Sequence, residues 1–241
     1  MTQLPEALAA KVRRTIALLS EAAALGATAL ASSLSAEDMV LTDLIVAEAL
    51  PISVFTLETG RLAPETLGMI DKITAHWGIQ VDVYRPNADA VAKYVTANGR
   101  DAFYESVELR KACCGIRKVE PLKRALAGKA AWITGQRRDQ SVSRVDLHDR
   151  EHDEVHGIEK FNPLANWSWA DVLAYVAARD VPVNPLHARG YPSIGCDPCT
   201  RAIRPGEDPR AGRWWWEQSD SKECGLHVSE PPKHTLIGAA S

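Results

Sequence analysis

Five cysteines carry the most specific chemistry in this sequence: Cys113, Cys114, Cys196, Cys199 and Cys224. Two are adjacent, two form a Cys-x-x-Cys turn, and the last stands alone in SKECGLH. In a reducing compartment such thiols read as ligands or nucleophiles before disulfides. The run RKACCGIRK sets Arg110, Lys111, Arg117 and Lys118 around Cys113–Cys114, and IGCDPCTR holds Cys196 and Cys199. Four thiolates suit a structural zinc, and a redox-active dithiol at Cys196/Cys199 is a further reading. Adjacent cysteines point their sulfurs apart, which fits two irons of a 4Fe–4S cluster more easily than one tetrahedral ion. Such a cluster is net negative, and the basic neighbours match that charge. Cys224 differs from these pairs. Its neighbours are polar, Lys222 and His227 lie close in sequence, and both can help hold a thiolate. Cys224 is therefore a candidate nucleophile and His227 a candidate base.

Elements must bring these residues together. Residues 5–25 have helical periodicity. Thr28–Ser33 then reads as a short buried strand, and Ser35 with Asp38 has capping-box spacing for a helix over 36–49. Ile52–Leu57 is a second strand, followed by a helix that Pro64 can start. Ile79–Tyr84 and Ala130–Gly135 are further strands, with helical stretches around 87–97 and 115–127 between them. GIEKFNPL adds an edge strand, and Ser168 with Asp171 caps a helix over 169–179. The acidic stretch Asp146–Glu154 reads as a solvated, mobile loop. This alternation predicts an α/β fold with a mainly parallel sheet and flanking helices. Beyond about residue 182, Pro, Gly, Arg and Trp dominate and periodicity fades. The expected division is an α/β domain over 1–205 that carries the four paired cysteines, and an irregular C-terminal tail over 206–241 with Cys224.

In a parallel sheet, ligands sit beyond the carboxyl ends of the strands. Three loops leave that edge with suitable chemistry. Ser32–Asp38 offers hydroxyls, Ser33 and Ser35 among them, at a helix N-terminus, although it is not a Walker loop. Leu57–Leu62 contributes Thr59, Gly60 and Arg61. Thr134–Arg144 supplies Arg137, Arg138 and Arg144, which can clamp phosphate or sulfate bidentately.

Composition narrows the classes. The chain has 241 residues, 46% hydrophobic and 24% charged, with a net charge of −3. Nothing global points to nucleic acid or an anionic membrane, and no apolar run reaches the ~20 residues that span a bilayer. The N-terminal stretch is charged and amphipathic, without signal-peptide order. A cytoplasmic protein is expected, and a homo-oligomer stays open.

Taken together, SSLSAEDM, TLETGRL, the Cys-Cys-x-x-Arg-Lys-Val-Glu-Pro-Leu run, TGQRRDQS, NPLANWSW, NPLH, GYPSIGCDPCTR, RAGRWWWE and Glu-Cys-Gly-Leu-His resemble the assimilatory adenylyl-sulfate and phosphoadenylyl-sulfate reductases. The resemblance covers nearly the whole chain from about Ser32 to His227. It implies an adenine-nucleotide hydrolase-like α/β fold with the nucleotide over the serine loop. It also implies a 4Fe–4S cluster on Cys113, Cys114, Cys196 and Cys199, the mark of a branch that mainly uses adenylyl sulfate. A 3′-phosphorylated donor is the alternative substrate. The resemblance puts substrate-contacting arginines at Arg210 and Arg213, and Lys118 is expected beside the sulfate. Reduction of sulfate to sulfite takes two electrons, yet the chain has no dinucleotide fingerprint. With four cysteines tied to a cluster, Cys224 is left to attack sulfur and become S-sulfonated. An external dithiol must then expel sulfite, and thioredoxin fits, with glutaredoxin second.

Overall fold

The computed structural model describes residues 4–141 and 144–217. Cys224 and His227 lie outside the described residues. The elements run α1 (Glu6–Ala24), β1 (Thr28–Ser32), α2 (Ala36–Ala47), β2 (Ile52–Leu57), α3 (Pro64–Trp77), β3 (Val81–Tyr84) and α4 (Ala88–Asn98). They continue with α5 (Val107–Cys114), a π-helical segment (Gly115–Val119), α6 (Glu120–Leu126), β4 (Ala131–Ile133), β5 (Arg150–Asp153), β6 (Ile158–Phe161) and α7 (Trp169–Arg179). Six strands form one sheet in the order β3-β2-β1-β4-β6-β5. All neighbours are parallel except β5, which runs antiparallel to β6.

Strand alternation divides the core. Leu30, Val54, Ala131 and Ile133 face one side, where they pack with Leu19, Met39, Trp167 and Tyr175. Ala29, Phe55 and Trp132 face the other, against Leu122, Ala125 and Leu126 of α6. Successive side chains of a strand point to opposite faces, so β1 and β4 can serve both layers. Local chemistry sets the helix ends. Ser168 accepts from the Asp171 N–H while Asp171 accepts from the Ser168 N–H, a reciprocal capping box on α7. Asn87 caps α4, Ser106 caps α5, and Pro64 opens α3, which Gly78 closes in the left-handed conformation.

Several expectations need correction. Ser35 precedes α2 but makes no side-chain cap. Asp38 instead accepts from the N–H and hydroxyl of Ser33, both at 2.6 Å, and tightens the serine loop. The helical stretch around 115–127 begins earlier, at Val107, and passes through the π-helical segment. The acidic stretch is not a mobile loop throughout, because residues 150–153 form the edge strand β5, and β6 is therefore internal. Cross-strand charges hold β5: Arg150 Nε donates to Glu159 at 2.6 Å and Lys160 pairs with Glu151 at 2.8 Å. A charged edge strand also resists further pairing.

Residues 182–217 have little regular structure yet lie on the domain. Leu62 bridges Cys196 and Thr200 bridges Arg213. The Asp197 N–H donates to the Arg61 carbonyl at 2.7 Å, and Asn184 reaches Thr66 of α3 at 3.0 Å. Among the described residues, no helix is long and apolar enough to cross a membrane.

Candidate active site

A cavity opens beyond the carboxyl ends of β1, β2 and β4, roofed by the irregular stretch 192–214. Each strand end adds one wall. After β1, Ser32 Oγ accepts from the Leu34 N–H at 3.1 Å, where Leu34 adopts φ 64°, and this turn presents Ser33 and Ser35. Asp38 lies behind them. Burial, reinforced by the Glu37 charge and opposed by the Ser33 bonds, pushes its carboxyl up to about 7. After β4, Gly135 runs so close to Asp38 that a Cβ there would overlap the carboxylate.

After β2, the Thr59 hydroxyl lies 3.3 Å from Cys196 Sγ, and Arg117 Nη1 donates to the Thr59 carbonyl at 2.7 Å. This links the cavity to a second feature. Cys114, Cys196 and Cys199 pack with Phe103 and Trp214 in one buried cluster, and Cys113 packs against it. None of the four thiols is joined in a disulfide. Burial raises Cys113 and pushes Cys199 up to about 12, with Cys196 adding to the latter. Arg117 and Arg61 oppose this at Cys113, and Lys118 and Arg213 oppose it at Cys199. Four soft donors gathered in a cation-rimmed apolar site suit a group that binds thiolates. Among the described residues, no three His, Cys, Asp or Glu side chains are grouped closely enough to hold a metal ion as they stand.

Trp214 joins the cavity to the cysteine cluster. It is 1% exposed, holds φ 40°, and lies between the guanidiniums of Arg110 and Arg213, at 4.8 and 4.7 Å from its ring. Arg110 is locked by Glu217 through two 2.8 Å bonds. Arg213 Nη1 donates to the Ile194 carbonyl at 2.9 Å. Among the described residues, the Arg213 Nε and the Trp214 indole N–H are buried without a partner. Buried donors are rarely left so, and both residues border the cavity.

The expected site residues separate into two groups. Ser33, Ser35, Thr59, Lys118, Arg210 and Arg213 line the cavity. Gly60, Arg61, Arg137 and Arg138 do not. Gly60 makes the turn at φ 73°, while Arg61 pairs with Asp101 at 2.6 Å over the Phe103 ring. Arg137 is buried, with Nε and Nη2 both 3.1 Å from Glu37 and Nη1 on Asp139 and the Trp167 carbonyl. Arg138 bonds Asn166 and faces Asp149 at 3.6 Å. Sequence reasoning missed Asp38 as a cavity acid, because SAED reads as a capping box. It also did not single out Trp214 or the Ser193–Gly195 wall, although both fall inside the quoted stretches RAGRWWWE and GYPSIGCDPCTR. Arg144, on the same loop as Arg137, lines the cavity and bonds Gln140.

The structure superposes on a phosphate complex of phosphoadenylyl-sulfate reductase from Candida auris with a TM-score of 0.67 at 24% identity, over 84% of this chain and 99% of that one. It superposes less closely on yeast FAD synthetase with FAD, with a TM-score of 0.52 at 14% identity, over 84% and 70% of the two chains. At these identities the likeness is one of fold. In sequence the chain is 62% identical to an adenosine 5′-phosphosulfate reductase of Burkholderia cepacia, over 99% of this chain and 97% of that protein. It is 57% identical to one from Allochromatium vinosum, over 86% and 83%. The phosphoadenosine phosphosulfate reductase domain matches residues 27–202, a span that takes in every strand and both cysteine pairs, and this chain belongs to that family.

Proposed function

We propose that this chain reduces adenylyl sulfate to sulfite and AMP in sulfate assimilation. One observation carries the reading furthest. A single cavity at the carboxyl edge holds Lys118, Arg144, Arg210 and Arg213 beside four thiols, three buried and Cys113 half-buried. Cations there offset the charge of a phosphosulfate, and a charge-assisted hydrogen bond is roughly twice as strong as a neutral one. Ser33 and Ser35 at the start of α2 suit the nucleotide phosphate. Phe55, Leu57, Leu122 and Trp132 give the cavity an apolar floor for a base.

Cys113, Cys114, Cys196 and Cys199 hold a 4Fe–4S cluster in this reading. When bound, the cluster orders the segments that carry Lys118 and the arginines and adds to the field at the sulfate. The residues of the chain perform the remaining steps. The Cys224 thiolate attacks the sulfate sulfur, an S–S bond forms, and the S–O bond to phosphate breaks. AMP leaves with that electron pair, and Lys118 and Arg213 offset the charge on the departing oxygen. A thiolate of an external dithiol such as thioredoxin, or glutaredoxin, then attacks Cys224 Sγ. Sulfite departs with the S–S electron pair and leaves a mixed disulfide between Cys224 and the donor. The donor's second thiolate then attacks the donor sulfur of that bond, closes a disulfide on the donor and releases the Cys224 thiolate. His227 serves Cys224 as base. Residues 206–241 act as the segment that presents Cys224 to both partners.

Sulfite release by anaerobically purified protein with thioredoxin tests the reading. Adenylyl sulfate should be turned over at least tenfold better than the 3′-phosphorylated donor. Preference for the 3′-phosphorylated donor would replace the substrate assignment, and release from neither would end it.

A further inference from the structure

The loop Asn184–Gly195 contains a histidine that no step above uses, and its ring holds two parts of the cavity wall together. His187 Nδ1 lies 2.9 Å from the Tyr191 carbonyl, and Nε2 lies 3.1 Å from the Ala36 N–H. A carbonyl can only accept and an N–H can only donate. The ring must therefore be neutral with its proton on Nδ1, and Nε2 must accept.

Both ends of this bridge bear on the cavity. Ala36 opens α2 between Ser35 and Glu37, which line the cavity, and Ser35 supplies no side-chain cap there. The imidazole does that work from 151 positions away in sequence. Tyr191 leads directly into Pro192–Gly195, the opposite wall. That wall positions Arg213, since the Ile194 carbonyl accepts from Nη1 and Gly195 leaves room for the guanidinium. The loop itself is anchored. The Leu186 N–H bonds the Asn184 side chain at 3.1 Å, and Gly190 turns the chain at φ 84°.

We infer that His187 is a positioning residue, a neutral imidazole clip that fixes the spacing between the serine loop and the Arg213-bearing wall. Its importance for binding rests on the cavity being the nucleotide site. The groups around the ring are the Glu37 carboxylate of α2, the Tyr191 carbonyl of its own loop and the Trp169 ring of α7 at 5.4 Å. Glu37 is itself tied to Arg137. Burial lowers His187 below its ordinary 6.5 against the pull of Glu37, so the fold keeps the accepting form as the medium turns acidic.

Two measurements test the clip in anaerobically purified protein. Nitrogen-15 NMR of the imidazoles, assigned through ring-to-backbone couplings, should show His187 with the proton on Nδ1 and still neutral below pH 6.5. A proton on Nε2, or a doubly protonated ring at pH 7, would overturn the clip without touching the cavity reading. AMP binding by calorimetry should weaken about tenfold in His187→Ala and in His187→Lys, which cannot accept, with KM for adenylyl sulfate rising more than kcat falls. His187→Gln, whose amide oxygen can accept at the Nε2 position, should return to within about threefold of the wild type. Equal affinity in all three variants, or a Gln variant as weak as the Ala variant, would overturn the positioning role. Wild-type protein that fails to bind AMP would instead remove the cavity reading, and the positioning role with it, while the tautomer still decides the clip.

Discussion

Two stretches bring arginines to the carboxyl edge of the sheet, and they use them differently. In the loop after β4, Arg137 is held by Glu37, Asp139 and the Trp167 carbonyl. In the stretch that roofs the cavity, Arg213 stacks on Trp214, bonds one carbonyl, and leaves its Nε without a partner. Both side chains are buried, at 4% and 7% exposure, and both sit on loops at the same edge. Burial and position therefore do not separate the two arginines. What sets Arg213 apart is a buried Nε with no partner among the described residues, beside the cavity, and the proposed function gives that donor to the anion.

The sharpest way to break this comparison is to remove each arginine in turn. Arg137→Met strands Glu37 as a buried charge, and the expected loss is about 3–5 kcal/mol of stability in denaturant titration. Arg213→Met should cost less stability and weaken AMP binding about ten- to a hundredfold. If Arg137→Met were the one that mainly lost affinity, the assignment would be reversed. Gly195→Ala sharpens the same point from the other side. Its Cβ would overlap the Arg213 guanidinium, which Trp214 and the Ile194 carbonyl hold in place. AMP binding should fall about tenfold, whereas Gly68→Ala on α3, where a Cβ meets nothing, should leave it unchanged.

The same contrast explains what could be read from sequence. Strands β1, β2 and β4 and the cap of α7 follow from apolar periodicity and from Ser168–Asp171, both local signals. β5 was hidden because REHD is charged throughout, and only its pairing with β6 makes it a strand. Arg137 and Arg213 could not be told apart because the groups that hold them, Glu37 at 100 positions and the Ile194 carbonyl at 19, lie far along the chain and leave no local pattern. The cavity roof was illegible for a similar reason. It is held by single bridges such as Leu62–Cys196, which leave no period behind. The cysteine pairs were legible as a set, and the structure gathers them into one cluster.

Asp38 and Asp43, on one helix, extend the comparison to acids. Asp43 is satisfied by Trp77, Tyr175 and Arg179, whereas Asp38 is held by Ser33 and the Gly135 backbone, with no cation among the groups that shift it, and faces the cavity. Because burial raises Asp38 to about 7 from 3.8, the folded state binds more protons than the unfolded state between those values. Its contribution to stability is therefore greatest below pH 4, falls as pH rises toward 7, and is flat above. Asp38→Asn should remove that slope. Inorganic sulfate, whose charge is constant in this range, should bind more weakly as pH rises through about 7 in the wild type and not in Asp38→Asn. The smallest effect belongs to the sheet edge. Arg150→Ala breaks exposed pairs with Glu159 and Glu21 and should change stability by less than about 1 kcal/mol, with AMP affinity untouched.

The central claim is that one thiol reacts while the four gathered beside the cavity do not. Anaerobic protein mixed with adenylyl sulfate, without any dithiol, should release one equivalent of AMP per chain. Peptide mass spectrometry should then find a single sulfonate, on the peptide containing Cys224. A sulfonate on Cys113, Cys114, Cys196 or Cys199, or AMP release undiminished in Cys224→Ser, would contradict the account.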